Sequence, residues 1–205
     1  MNHSQLALEV RSFWFGPTLA DPGAIPPRQA FWFGSDPARD RDMARDWTET
    51  VEDAFAGRLD RMGDTPAGRL ALILLLDQFP RNLYRGTPRA FTRDGRARYL
   101  MRDGMSRLMD LALTPVERCF FYMPLQHSEF LEDQESSVAR YLQLVGEVDT
   151  ELRNVYQNFL DSARLHRDII ARFGRFPHRN AILGRLDTPE ERAWLESGAP
   201  RFGTG

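Results

Sequence analysis

Two stretches of this chain set fixed cations among aromatic and aliphatic residues: "DQFPRNLYRGTPRAF", Asp77 to Phe91, and "RFGRFPHRNAILGR", Arg172 to Arg185. A guanidinium carries a planar fork of N–H donors that fits a carboxylate or phosphate, and its face stacks on aromatic rings. Arg81, Arg85, Arg172, Arg175 and Arg179 are therefore candidate anion holders, with Gln78, Asn82 and Asn180 to fix orientation and His166 and His178 beside them. A third stretch, "MPLQHSEFLEDQE", supplies His127, whose imidazole is a natural proton carrier near neutral pH. Glu129 or Asp77 would orient that ring. The chemistry such a set could perform is acid–base work on an anionic small molecule, as in a hydrolase or lyase.

Each candidate also has a purely structural reading. Asp77 ends an apolar helical run, where a carboxylate opposes the helix dipole and burial adds a further cost. Arg81 or Arg85 would then serve as its partner, although Pro80 breaks the helix and spoils a simple i, i+4 pairing. His127 and Glu129, two apart, share no helix face, but in extended backbone after Pro124 they point the same way. His166 falls on the apolar side of its helix with Ile170 and Phe173, the pattern of a hydrogen-bonded core histidine. No helical His-x-x-x-His or Glu-x-x-His spacing appears, so no metal site is expected, and no cofactor either. Gly174 is placed to end a helix in the left-handed conformation, leaving Arg172 and Arg175 near its negative end. Pro177 starts a short helix whose positive end would lie beside His178, Arg179 and Asn180, which suits an anion.

The elements that must position these groups are helices. Asp36-Pro37, Thr65-Pro66, Thr87-Pro88, Thr114-Pro115 and Thr188-Pro189 each precede a segment of helical periodicity. The Asp or Thr oxygen accepts from first-turn N–H groups, and Pro follows where its missing donor costs nothing. Glu117 and Glu191, three residues after their threonines, complete capping boxes. Leu6, Val10, Phe13 and Trp14 form one stripe, ended by Gly16-Pro17, and Trp47, Val51, Phe55 and Leu59 form the next. The segment from Pro66 to Phe79 is apolar on nearly all sides and should lie at the centre. A long helix is expected after Pro88 with Phe91, Leu100 and Leu108 inward, then one from Pro115 to Tyr122 that Pro124 bends or breaks. Val138 to Val145 and Leu152 to Phe173 give two further stripes, and Trp194 and Leu195 lie on a short last helix. No run alternates strictly with β-branched enrichment, so no sheet is expected.

The fold expected is all-α: antiparallel helical hairpins packed as a tetratricopeptide-like right-handed superhelix or an irregular bundle. One domain would span residues 1–205, with 17–35 an irregular Pro-rich loop and 196–205 a flexible tail. The chain's 205 residues suffice for one core, and 42% hydrophobic with 27% charged residues is an ordinary globular composition. A net charge of −2 offers no general attraction to nucleic acid or anionic lipid, although all 27 basic residues are arginine. Cys119, the single cysteine, sits beside Phe120, Phe121 and Tyr122 and reads as a buried inert thiol. "LALILLL" is too short to span a bilayer, and Glu9 and Arg11 interrupt any signal-like run, so a cytoplasmic protein is expected.

The phrases "LALILLLDQFPRNLYRGTPRAF", "MPLQHSE" and "RFGRFPHRNAILGR" with the following "DTPEE" resemble the signature of a mainly bacterial family, domain of unknown function 924. The resemblance runs from about Val10 to Trp194. It implies an all-helical fold similar in architecture to tetratricopeptide repeats, and no established activity. The matching phrases are the same three polar stretches, which places them around one expected site. Two classes of function follow: a module binding a small anionic ligand or peptide in an Arg/His/Asn-lined groove, or an enzyme using His127 with Glu129 or Asp77. No nucleophile elbow, phosphate-binding glycine loop or dinucleotide fingerprint is present.

Overall fold

The computed structural model describes residues 2–200 and Phe202. Met1, Arg201 and 203–205 lie outside the described residues, so the expectation for the tail 196–205 falls partly there. Among the described residues the regular structure is all helical, with no strand. In chain order the α-helices are α1 (His3–Phe15), α2 (Ile25–Phe33), α3 (Pro37–Phe55), α4 (Pro66–Asp77) and α5 (Phe79–Leu83). They are followed by α6 (Asp94–Ser106), α7 (Pro115–Gln126), α8 (Leu131–Glu147), α9 (Arg153–Phe173) and α10 (Pro189–Glu196).

Polar caps start α3, α4, α7 and α10 where the sequence puts them. The Asp36 carboxylate accepts from the N–H groups of Ala38 and Arg39, and the Thr65 hydroxyl accepts from Gly68. At Thr188 the capping box closes in both directions, with Glu191 N–H donating to the hydroxyl at 3.2 Å and the Glu191 carboxylate accepting from Thr188 N–H at 2.7 Å. Gly174, at φ 68°, ends α9 in the left-handed conformation.

α4 occupies the centre: from Gly68 to Asp77 every residue is buried. It packs against α1, α3, α6 and α7. α7 is buried from Val116 to Gln126, a second central rod that the sequence did not single out. α8 and α9 form a long antiparallel pair beside it. The main core runs from Leu6 on α1 to Ala163 on α9, and a small satellite of Ile169, Ile170 and Phe176 continues toward α10.

Four local expectations are corrected. Residues 17–35 are not simply irregular, because α2 forms there with Pro26 and Pro27 in its first turn, where absent donors cost nothing. Its Trp32 is buried and donates from Nε1 to the Trp14 carbonyl at 2.8 Å. Thr87-Pro88 opens only a single tight turn, Pro88–Phe91, because the Thr87 hydroxyl donates backward to the Tyr84 carbonyl at 2.8 Å and leaves the turn uncapped. Leu108 points outward, 66% exposed, since α6 has already ended and the residue turns back at φ 57°. α7 continues past Tyr122 through Pro124 to Gln126, so the proline does not end it there.

Candidate functional site

A cavity of about 400 Å³ lies where α2, α5, α7 and α9 meet the loops after α5 and α9. Its apolar wall comes from Trp32, Phe33, Phe91, Met123 and Phe159, with Phe202 at the rim. Its polar wall holds Arg81, Arg85, Arg179, His127, His166 and His178, together with Gln78 and Asn82. No carboxylate among the described residues lines it. The acids that balance these cations stand one layer behind.

Asp77, the last residue of α4, is fully buried. Its two carboxylate oxygens lie 2.9 and 3.0 Å from His127 Nδ1, and Gln78 Nε2 also donates to it. Arg81 Nη1 sits 3.3 Å from the same carboxylate and donates to the Asp77 carbonyl as well. The i, i+4 pairing survives Pro80 because that proline falls in the first turn of α5, which follows α4 with one intervening residue. Burial alone would raise the Asp77 carboxyl, but Arg81 and the His127 contact outweigh it and hold it well below the usual carboxylate range. An ionised Asp77 accepts, so the proton of His127 resides on Nδ1 and the Nε2 lone pair has no hydrogen bond to the described residues. Burial, then Arg81, lowers the His127 pKa below its ordinary value, with Asp77 opposing, and so the ring is neutral at pH 7.

Arg81 also donates from Nη2 to Asp94 at 3.0 Å. Asp94, on α6, is pushed up by burial, and its Oδ1 has no hydrogen-bond partner among the described residues. Arg179 is 93% buried by its 7% exposure, donates from Nη1 to the His127 carbonyl at 3.0 Å, and stacks on Phe91 and Phe176. Its Nε–H is closed to solvent and has no partner among the described residues. Burial lowers its pKa to about 10, with Asp94 acting against that and Arg81 with it, so it stays charged at neutral pH. On the opposite side Arg85 and Asn82 both donate to Asp40 of α3, at 2.8 and 2.9 Å. His166 donates from Nδ1 to the Ser162 carbonyl at 2.8 Å, and burial drops its pKa to about 3.

The remaining nominees belong elsewhere. Glu129 does not reach His127: it accepts a two-pronged bond from Arg185 at 2.7 and 3.0 Å and another from the Phe176 N–H at 2.9 Å. Asn180 is buried and bonds Asp187 and Arg185 at 2.7 and 2.9 Å. Arg175 pairs with Glu191 at 2.6 Å, and Arg172 with the exposed Glu190 at 2.9 Å. These contacts fasten the segment after α9 onto α10 and the start of α8. Pro177 begins only a three-residue turn, so the helix N-terminus expected beside His178 and Arg179 does not exist. The one expected cluster is thus two: a cavity group around Asp77, His127, Arg81 and Arg179, and a fastening group around Glu129, Arg185 and Glu191. Asp40 and Asp94 were missed because nothing in their local sequence marks them. Each becomes relevant only through a partner 13 or more residues away.

Fold and site together define an all-helical protein with a buried cationic cavity. Residues 10–199 match the family described as "Bacterial protein of unknown function (DUF924)", and the chain belongs to that family. It is also similar to a solved structure titled "Structure of Protein of Unknown Function ATU0120 from Agrobacterium tumefaciens". The two are 35% identical, with a TM-score of 0.76 over 96% of this chain and all of that one. No curated protein matches it. No helix among the described residues is long and apolar enough to cross a membrane.

Proposed function

We propose that this protein binds a small organic anion, a carboxylate or phosphate attached to an apolar body, in the cavity between α5, α7 and α9. The supporting observation is Arg179. A charged guanidinium so deeply buried normally has every N–H satisfied, because an unpaired buried donor costs about 1–3 kcal/mol. Arg179 lines the cavity, donates among the described residues only to the His127 carbonyl, and meets its nearest carboxylate, Asp94, only at 3.8 Å. An anionic oxygen would complete it, while Phe91, Met123 and Phe159 would cover the apolar part of the same molecule. The volume suits a small molecule rather than a long peptide, since drug-sized ligands fill roughly 300–1,000 Å³.

Calorimetric titration with benzoate, hexanoate and phenyl phosphate tests the reading. Arg179→Gln, checked by circular dichroism and melting temperature, should weaken binding about tenfold to a hundredfold, the worth of one charge-assisted hydrogen bond. Arg172→Ala, outside the cavity, should bind as the parent does. Binding that Arg179→Gln leaves intact, or no binding of any of the three anions, overturns it.

A further inference from the structure

We propose that the cavity is also a hydrolytic site, in which His127 removes a proton from water as that water attacks a carboxylic ester held against Arg179. The proposal rests on the same cavity as the binding reading and assigns a reaction to it. It begins from the geometry of the His127–Asp77 pair. Asp77 fixes the imidazole through Nδ1 at 2.9 and 3.0 Å, which sets both the tautomer and the ring orientation. His127 lies on the cavity wall, and Nε2 has no hydrogen bond to the described residues. A carboxylate that orients a histidine on a cavity wall is the arrangement general-base chemistry requires.

The surroundings decide what the base acts on. Among the described residues Ser162 is the only hydroxyl on the cavity wall, and its oxygen accepts from Gln126 Nε2 at 2.9 Å. No thiol, lysine or tyrosine lines the cavity, and Cys119 is buried in the core. Ser162 has no hydrogen bond to His127 that would activate it as a nucleophile, and water is the proton source that needs nothing further from the protein. The tetrahedral intermediate places negative charge on the former carbonyl oxygen, and the Arg179 guanidinium on the cavity wall is a cation fixed before the reaction begins. Arg179 also bonds the His127 carbonyl at 3.0 Å, which keeps charge stabiliser and base in one place.

The step balances. Water oxygen bonds to the acyl carbon while His127 Nε2 takes its proton. The C–O bond to the alcohol then breaks, and the same proton passes from the imidazolium to the leaving oxygen. The acid product ionises to a carboxylate, which is the class of anion the binding reading assigns to Arg179. In this scheme His127 and Arg179 are catalytic residues, and Asp77 is a positioning residue. The groups that face His127 are Asp77 from α4, Arg81 from α5, Asp94 from α6, His166 from α9 and Arg179 from the loop beyond. Their sum keeps the ring neutral, so the rate should be flat from pH 7 upward and fall at acid pH with an apparent pKa below 6.5.

The test uses the full chain with 4-nitrophenyl acetate, 4-nitrophenyl butyrate and methyl benzoate, following proton release. Expected is turnover above buffer that His127→Gln reduces about 10²- to 10⁴-fold in kcat. His3→Gln, outside the cavity, should retain it, which removes general imidazole catalysis from consideration. Asp77→Asn should lower kcat with little change in KM and should shift the acid limb of the pH profile, an effect that loss of packing alone does not give. Benzoate affinity is measured on every variant. No turnover of the three esters, or turnover that survives His127→Gln, overturns the hydrolytic proposal even where benzoate still binds. Turnover lost in His127→Gln without measurable benzoate affinity supports hydrolysis and ends the binding reading alone.

Discussion

Asp77→Asn and Asp94→Asn each remove one charge from the two carboxylates that share Arg81. Their surroundings predict opposite sensitivities. Three donors converge on Asp77: His127 Nδ1 at 2.9 Å, Gln78 Nε2, and Arg81 Nη1 at 3.3 Å. Asparagine offers one acceptor oxygen and two N–H groups, so at least one buried donor would meet another donor. Leaving a buried group unsatisfied costs about 1–3 kcal/mol and losing a charge-assisted bond about 1.5–3 kcal/mol, so Asp77→Asn should destabilise by about 3–5 kcal/mol. For a chain of this size that is a fall in Tm of about 6–20 °C. Asp94 already has one oxygen without a partner among the described residues and is held above its ordinary pKa by burial. Asparagine keeps the bond from Arg81 and removes a charge the fold disfavours, so Asp94→Asn should stay within about 1 kcal/mol of the parent.

The pH dependence has a definite sign. A carboxyl lowered on folding contributes stability that is complete above its unfolded pKa of about 3.9 and is lost as pH falls toward the folded value. The gap between parent and Asp77→Asn should therefore be widest at neutral pH and close below about pH 4. Asp94 is raised, so its cost grows as pH rises above about 3.9, and the comparison with Asp94→Asn should move in the variant's favour. Urea unfolding from pH 3 to pH 8 measures both. Equal losses at pH 7, or a larger loss for Asp94→Asn, would refute the reasoning about which carboxylate the fold requires.

Two further outcomes separate the fastening cluster from the cavity. Glu129→Gln removes the charge that Arg185 grips at 2.7 and 3.0 Å, and should lower stability by about 1–2 kcal/mol in urea unfolding. Its benzoate affinity should stay within about twofold of the parent, and a larger loss would return Glu129 to the site. His166, lowered to about 3 by burial, should remain neutral in an NMR titration from pH 8 to pH 5. Because the unfolded chain binds that proton first, His166 makes the protein less stable as pH drops from about 6.5 toward 3. A midpoint for His166 near 6.5 would contradict its burial.

Much of the fold was written locally. Thr65, Asp36, Thr188 and Gly174 act through neighbours within four residues, so their sequence context suffices to start or stop a helix. The all-round apolar character of Leu70 to Leu76 likewise determined that α4 is central, since no surface helix could hide so much of itself. The same local rules misjudged Thr87, whose hydroxyl found the Tyr84 carbonyl first, and Pro26-Pro27, which read as loop but fit a first helical turn.

The candidate site divides along the same line. Residue types alone named Asp77, Arg81, His127 and Arg179, because buried charge and histidine are rare enough to notice. Which acid meets which base was decided only in three dimensions. Asp77 reaches His127 across 50 residues, and Glu129 reaches Arg185 across 56, although His127 and Glu129 are two apart. Chain proximity sets which backbone groups can bond, whereas ion pairs form between whichever side chains the packed helices bring within about 3 Å. That selection belongs to the tertiary structure, and with it the cavity itself.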